Sequence, residues 1–161
     1  MNGIHHIGVL VRSIAESLPL YTDLLGLQAD PPFELPEQRV RAVFLRAGDD
    51  RIELLEPLTP DCPLGQVLAK RGEGLLHICL EVDDLEASLR RLEGRGVRLV
   101  DLHGWRSPIG LVAFLHPKSC HGVSIELRQA GAGDPGAAAA HAGPAPVEAG
   151  ESGSRREEGG S

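Results

Sequence analysis

The first residues of the chain recur further along it, and this duplication restricts the possible folds more than any other feature. Residues 4–18 align with residues 75–89, so that His6 falls on His77. Residues 42–45 align with 112–115, and the stretch around Glu53 aligns with the stretch around Glu126. Only two copies are present, which indicates a pair of similar modules packed together and not a solenoid.

The first copy has the pattern of one strand, one helix and three further strands. Residues 4–11 alternate and are rich in β-branched side chains, which predicts a strand. Ser13 is a suitable N-cap for a helix that follows the apolar spacing from Ile14 to Leu25, and Gly26 can end it. Strand-like stretches follow near 27–30, 40–46 and 51–56.

The second copy repeats this order. The pattern predicts a strand at 75–82, a helix capped by Asp83 or Asp84, and strands near 97–101, 110–115 and 122–128. The connector at 60–72 can hold a short helix around 64–70. The sequence therefore predicts an α+β fold in which two duplicated βαβββ modules, 1–58 and 74–129, form a curved mixed sheet around a metal site.

The last residues differ in composition from the rest. Residues 130–161 consist mainly of Gly, Ala, Pro, Ser and Glu, and Val147 is the only large aliphatic residue among them. Such a segment cannot bury enough apolar surface to offset the entropy that ordering costs. We expect a folded domain at 1–129 and a disordered tail at 130–161.

Composition excludes several classes of function. A net charge of −7 gives no counterion-release advantage at a phosphate backbone, so nucleic-acid binding is not expected. No apolar run approaches the roughly 20 residues that a membrane span needs. The N-terminus lacks the basic and apolar regions of a secretion signal. Three cysteines, without a CxxC pair, suit a reducing cytoplasmic location.

The duplication also pairs residues that can bind a metal. It places a histidine on the first strand and a glutamate on the last strand of each copy: His6, Glu53, His77 and Glu126. Two imidazoles and two carboxylates suit a divalent first-row ion such as Co²⁺, Mn²⁺, Ni²⁺ or Zn²⁺. A single His–Glu pair would more often be structural, but two pairs in register point to one shared site.

Several phrases of the sequence resemble a known enzyme family. They are residues 4–9 (IHHIGV), 36–38 (PEQ), 51–57 (RIELLEP), 70–74 (KRGEG) and 114–119 (FLHPKS). Together they resemble the methylmalonyl-CoA epimerases of the vicinal oxygen chelate (glyoxalase) superfamily, over about 1–129. The resemblance implies a metal-dependent epimerase that interconverts (R)- and (S)-methylmalonyl-CoA through an enolate, with an acyl-CoA substrate and a homodimeric assembly.

The resemblance also implies roles for individual residues. Glu126 matches a glutamate that is both a metal ligand and one acid/base group, and Glu53 matches a ligand position. The second acid/base glutamate of some epimerases is replaced here by Ala42, and Glu37 is the nearest candidate for its role. The loop at 104–110, which holds the single Trp, also departs from the family pattern.

Two other functions remain open from the sequence. The same four ligands would serve a glyoxalase I-like lyase or isomerase, or another enzyme of the superfamily. A member without enzymatic activity that binds a small ligand is the third possibility, and the alanine at position 42 favours it. Arg39, Arg41, Arg106 and Lys118 could contact CoA phosphates or form a solvated face.

Overall fold

The computed structural model describes residues 1–100 and 103–131, and these form nine strands and three α-helices. The strands belong to one mixed sheet with the order β2-β4-β5-β1-β6-β9-β8-β7, and β3 also pairs with β4. The prediction of an α+β fold built from two βαβββ modules is confirmed. The predicted disordered tail lies, from residue 132 onward, outside the described residues.

The first copy supplies one half of the sheet. Its elements are β1 (Gly3–Leu10), α1 (Ile14–Pro19), β2 (Gln28–Ala29), β3 (Phe33–Leu35), β4 (Val40–Ala47) and β5 (Asp50–Pro57). Ser13 caps α1, because its side chain accepts a hydrogen bond from the Glu16 amide. A π-helical turn at Leu20–Leu24 continues α1 beyond Pro19, which lacks the amide hydrogen of a regular helical residue.

The second copy supplies the other half. The connecting helix α2 (Pro63–Arg71) leads into β6 (Gly74–Val82), α3 (Leu85–Glu93), β7 (Trp105–Ser107), β8 (Gly110–Leu115) and β9 (Ser124–Gln129). Asp84 is the residue that caps α3, through a bond to the Ala87 amide. Asp83 instead accepts a hydrogen bond from the side chain of Asn2.

The two halves meet at β1 and β6, which pair in antiparallel fashion. Ile7 pairs with Ile78, the residue that the duplication makes its equivalent. A local two-fold axis therefore passes through the sheet between these two residues. The flanking pairs obey the same symmetry, since β5 is parallel to β1 and β9 is parallel to β6.

The apolar core packs on both faces of this sheet. Helix α2 covers one part, where Leu64 and Val67 contact Leu10, Ala42 and Leu55. Helix α3 packs through Leu85 and Leu89 on the β8–β9 region, and α1 packs through Ile14 on β4 and β5. Within the described residues, no helix is long and apolar enough to cross a membrane.

Three details differ from the sequence-based expectation. The short strands β3 and β7 were not predicted, because three residues give too little periodicity to recognise. The strand expected at 97–101 is reduced to a single bridge between Leu99 and Leu115, within the described residues. The single helix expected from Ile14 to Leu25 changes to π geometry after Pro19.

Candidate metal centre

Four polar side chains meet in the interior of the curved sheet. They are His6 on β1, Glu53 on β5, His77 on β6 and Glu126 on β9, each at most 7% exposed. The Nε2 atoms of the two histidines lie 2.8 Å apart. Charged or polar groups are rarely buried this deeply without partners or a ligand, so this cluster is the candidate functional site.

The carboxylates stand close to both imidazoles. Oε2 of Glu53 lies 3.3 Å from Nε2 of His6 and 3.6 Å from Nε2 of His77. Oε2 of Glu126 lies 3.3 Å from each of these nitrogens. Ligands about 2.1 Å from one ion have to lie roughly 3 Å from each other, so these spacings fit the donor set of a divalent metal.

The electrostatics of the cluster favour ionised groups. Burial alone lowers the pKa of His6, but the charge of Glu53 and hydrogen bonds with both carboxylates raise it to about 9. Burial raises the pKa of Glu126, but hydrogen bonds from His6 and His77 shift it well below its usual range. Glu126 is therefore ionised, and a metal ion would replace the positive charge that a protonated His6 carries in its absence.

Gly8 makes room for one of the four side chains, His77. It pairs with His77 across β1 and β6, and a Cβ atom on Gly8 would lie 2.3 Å from Cε1 of the His77 ring. A side chain at this position and the present ring orientation are therefore mutually exclusive. The glycine in the IHHIGV phrase is explained by this contact.

Aromatic side chains enclose the cluster. Phe44 lies opposite Glu53 on β4 and makes an edge contact with His6, and Phe114 occupies the equivalent place opposite Glu126. Trp105 stacks on Phe114. The divergent loop at 104–110 thus forms the β7–β8 hairpin and supplies one wall of the site.

The strict alternation of a strand predicts that His5 points away from His6, but in the structure the two rings are in contact. The pairing of β1 with β6 shifts register between Ile4 and His6, so a β-bulge interrupts the alternation of side chains. Nδ1 of His5 consequently lies 2.9 Å from Nδ1 of His6. Burial and then the positive charge of His6 lower the pKa of His5 to about 4.

Cys79, in the apolar strand β6, is a further neighbour of the cluster. It pairs with His6 and with Glu126, and His5, His6 and Cys79 form a second group of potential ligand atoms within 4.8 Å of one another. Burial, followed by the charge of Glu126, raises the pKa of the Cys79 thiol. The thiol therefore stays protonated near neutral pH.

Glu37 lies apart from the cluster. It is exposed in the turn between β3 and β4. Phe44, which pairs with Glu53, lies four residues or about 13 Å along β4 from the start of that strand at Val40. Glu37 lies before that start, so it is remote from Glu53 along the strand.

Two of the basic candidates for phosphate contacts are engaged in ion pairs: Arg39 with Asp61, and Arg41 with Glu34.

Residues 5–114 match the family model of the Glyoxalase/Bleomycin resistance protein/Dioxygenase superfamily. The chain is 36% identical to mitochondrial methylmalonyl-CoA epimerase of Mus musculus over 129 residues, which covers 79% of this chain and 72% of the relative. It is 33% identical to ethylmalonyl-CoA/methylmalonyl-CoA epimerase of Cereibacter sphaeroides over 131 residues, or 78% and 96% of the two chains.

A solved structure of a methylmalonyl-CoA epimerase in complex with methylmalonyl-CoA and NH4+ superimposes with a TM-score of 0.76. The two proteins are 31% identical, and the match covers 84% of this chain and 99% of that one. An epimerase of Mycobacterium tuberculosis gives a TM-score of 0.74 at 32% identity, covering 79% and 87%.

Proposed function

The chain belongs to the Glyoxalase/Bleomycin resistance protein/Dioxygenase superfamily and, within it, to the methylmalonyl-CoA epimerases, and from this premise we propose how it works. It interconverts (R)- and (S)-methylmalonyl-CoA. The observation that carries the proposal is the buried cluster of two histidines and two glutamates, with Nε2–Nε2 and Nε2–Oε2 spacings of 2.8 to 3.6 Å.

His6, Glu53, His77 and Glu126 would hold one divalent metal ion. Nitrogen and carboxylate ligands are compatible with Co²⁺, Mn²⁺, Ni²⁺ and Zn²⁺, and the choice among them follows metal availability. The positive charge of such an ion would stabilise the enolate that forms when the α-carbon loses its proton. The donor set supports this proposal, because its spacing suits one ion and its groups are buried together.

The protein itself supplies orientation, exclusion of water and proton transfer. Phe44, Phe114 and Trp105 surround the cluster and keep bulk solvent from the carboxylates. Hydrogen bonds from His6 and His77 lower the pKa of Glu126 and keep it ionised, which is the form that can accept a proton. Glu126 therefore acts as one acid/base group toward the α-proton of the substrate.

We also propose a homodimer in a reducing compartment such as the cytoplasm. Large apolar side chains are exposed together on the π-helical turn, where Leu20 is 51%, Leu24 79% and Leu25 61% exposed. Association of two copies through this surface would bury them. The three free cysteines suit a reducing environment. Light scattering during gel filtration tests the dimer.

The activity is tested by α-proton exchange. Methylmalonyl-CoA in D₂O is followed by NMR with Co²⁺-loaded protein and with metal-stripped protein. We expect the α-proton to be lost, and the epimers to equilibrate, only with metal present. His6→Ala and His77→Ala should each lose metal and activity together. Protein that binds one equivalent of metal but exchanges no proton would overturn the epimerase function and favour a glyoxalase-like or ligand-binding role.

A further inference from the structure

A buried ion pair lies at one end of the sheet, outside the cluster of two histidines and two glutamates. Arg128 on β9 is 5% exposed, and its Nη1 atom forms an ion pair with Oε2 of Glu81 on β6. The two residues are register partners in the parallel pairing of β6 with β9. Moving charges out of water costs free energy, so a buried pair of this kind is weak evidence for a stabilising role.

The duplication shows what these two positions can hold instead. Glu81 falls on Leu10, and Arg128 falls on Leu55. Leu10 and Leu55 are also register partners, and both pack in the apolar cluster under helix α2. Equivalent positions therefore hold two leucines at one end of the sheet and an ion pair at the other, where the neighbouring segment is the β7–β8 hairpin.

Arg128 contacts that hairpin directly. Its Nε atom donates a hydrogen bond to the carbonyl of Ile109, 2.7 Å away, in the turn between β7 and β8. The turn is compact, because the Ser107 hydroxyl accepts a hydrogen bond from the Ile109 amide and donates one to the Gly110 carbonyl. The bond from Arg128 therefore connects the end of β9 to the tip of the hairpin.

The side chain of Ile109 belongs to the wall of the candidate site. It is 5% exposed and packs in one apolar cluster with Trp105 and Phe114. Trp105 stacks on Phe114, which makes an edge contact with the ring of His77. Ile109 thus faces the site with its side chain and is held from behind through its carbonyl by Arg128.

The hairpin has few contacts within the sheet that could hold it in place. β7 has three residues and is the last strand in the order of the sheet, so among the described strands it pairs with β8 alone. A two-stranded hairpin is marginally stable by itself. A hydrogen bond from a charged donor is stronger than one between neutral groups, so the bond from Arg128 can fix the position of the tip.

We propose that Arg128 is a positioning residue for the epimerase, which holds the β7–β8 hairpin against the site through the Ile109 carbonyl. Glu81 orients the guanidinium, because the ion pair at Nη1 leaves Nε directed at the hairpin. The shape of the wall at Trp105 and Phe114, and with it the fit of the acyl group, depends on this hydrogen bond. Its effect on the substrate rests on the proposed function, whereas its effect on the hairpin can be measured without substrate.

A cavity at the same end of the sheet indicates what release of the hairpin would change. It has a volume of about 560 Å³, and its lining includes His5, Arg51, Glu81 and Arg128. His5 contacts His6, so the cavity lies next to the cluster. A hairpin that moved away from Arg128 would widen this opening along the wall. We therefore expect weaker binding of the acyl group, with a smaller effect on the chemical step.

Two single substitutions separate the hydrogen bond from the charge. In Arg128→Gln the side-chain amide nitrogen takes the place of Nε, so the bond to the Ile109 carbonyl is kept while the cation is lost. In Arg128→Lys a methylene group takes that place, and the ammonium lies one atom further on, beside Glu81. The cation is then kept while the bond to the hairpin is lost.

Trp105 reports on the hairpin, because it is the single tryptophan of the chain and is 8% exposed. Its fluorescence is measured in Zn²⁺-loaded protein without substrate. In Arg128→Lys we expect emission at longer wavelength and quenching by acrylamide that is at least ~2-fold stronger than in the wild type. In Arg128→Gln both quantities should stay close to those of the wild type.

Kinetics with Co²⁺-loaded protein test the effect on the substrate. Arg128→Lys should raise KM for methylmalonyl-CoA roughly tenfold and lower kcat by much less, since the wall is displaced and the cluster is unchanged. Arg128→Gln should recover most of the wild-type KM. Both variants should bind one equivalent of Co²⁺, because no proposed ligand is altered.

An ion pair with a purely structural role predicts the reverse order, because removal of the cation would then be the harmful change. Stronger quenching and a higher KM in Arg128→Gln than in Arg128→Lys would therefore overturn the proposal. Unchanged quenching of Trp105 in Arg128→Lys would overturn it as well. Exposure of Trp105 without a rise in KM would show that the hairpin does not position the substrate.

The double variant Glu81→Leu/Arg128→Leu repeats the test with the leucine pair found at the equivalent positions. Apolar residues of similar size often replace a buried ion pair without loss of stability, so this variant should fold. It decides the question if a single variant fails to fold. Trp105 should be exposed in it as in Arg128→Lys, and protection of Trp105 as in the wild type would overturn the proposal.

The control is Arg46→Gln, which removes an exposed arginine that pairs with Asp30 and should match the wild type in fluorescence and kinetics. Wild-type protein in which Trp105 is protected but no α-proton exchanges would contradict the proposed function and, with it, the effect of Arg128 on the substrate. The fluorescence of Arg128→Lys and Arg128→Gln would still decide whether the hydrogen bond holds the hairpin.

Discussion

Gly8 is a position at which the proposed metal centre tolerates little change. A methyl group there would lie 2.3 Å from the His77 ring, far inside van der Waals contact. We expect Gly8→Ala to turn this ring away and to weaken Co²⁺ binding at least ~10-fold, measured by competition with a chelator. Overpacking of this kind should also lower the free energy of unfolding by about 1–3 kcal/mol.

A double-mutant cycle separates the clash from other effects of the added methyl group. In a His77→Ala background the ring is absent, so Gly8→Ala should cost clearly less stability than in the wild type. Urea denaturation of the metal-free proteins gives the four free energies. An equal cost in both backgrounds would show that the ring contact is not the cause.

The convergence of four polar residues could be predicted from sequence, whereas the neighbours of these residues could not. The duplication paired His6 with His77 and Glu53 with Glu126 without any structure, since one event explains both pairs. That these four residues bind a metal stays a prediction. The contact between His5 and His6 depends on a β-bulge that alternation of side chains does not reveal. The position of Glu37 depends on where β3 turns into β4, and three residues leave too weak a pattern to place that turn.

At the scale of elements, the cap of α3 offers a sharp comparison between two adjacent aspartates. Asp84 accepts a hydrogen bond from the Ala87 amide, 2.8 Å away, while Asp83 contacts only the exposed side chain of Asn2 in the described structure. Asp84→Ala should therefore lower the free energy of unfolding by about 1 kcal/mol, and Asp83→Ala by much less. Chemical denaturation measures both, and equal losses would contradict the assignment of the cap.

Long elements could be predicted and short ones could not. The strands that carry the four cluster residues, β1, β5, β6 and β9, have six to nine residues, which is long enough for the alternation of side chains to show. β7 has three residues and depends on its pairing with β8, which is a tertiary contact. Whether the stretch at 97–101 forms a strand also depends on tertiary pairing. In the described structure Leu99 alone forms a bridge there, with Leu115, so the predicted strand is not formed.

At the scale of the whole molecule, the boundary of the folded domain can be located to a few residues. Gln129 accepts a hydrogen bond from the Leu85 amide at the start of α3, and the Ala130 amide bonds to the Val82 carbonyl. A chain ending at Gly131 should therefore keep the melting temperature of the full chain, as the composition of the tail predicts. A chain ending at Arg128 should melt several degrees lower.

Calorimetry of the full chain and the two truncated chains tests this boundary. Ending at Arg128 removes a partner of the α3 N-terminus and one backbone bond of the sheet, each worth about 1 kcal/mol. A large drop on removal of 132–161 alone would mean that the tail contributes to the fold. Equal melting temperatures for both truncations would mean that the last two hydrogen bonds contribute little.

The proposed metal site lies on the two-fold axis that joins the modules, so metal binding and global stability should be coupled. Its proposed ligands come from β1 and β5 of one module and from β6 and β9 of the other. An ion that binds only the folded state at 100 times its Kd stabilises it by about 2.7 kcal/mol. A chelator should therefore lower the melting temperature of metal-loaded protein by roughly 10 °C. His77→Ala, which lacks one proposed ligand, should show no such shift.

The contrary outcome is removal of the metal by the chelator without a change in melting temperature. It would mean that the ion does not stabilise the packing of the two modules, and that the site has a role in catalysis alone.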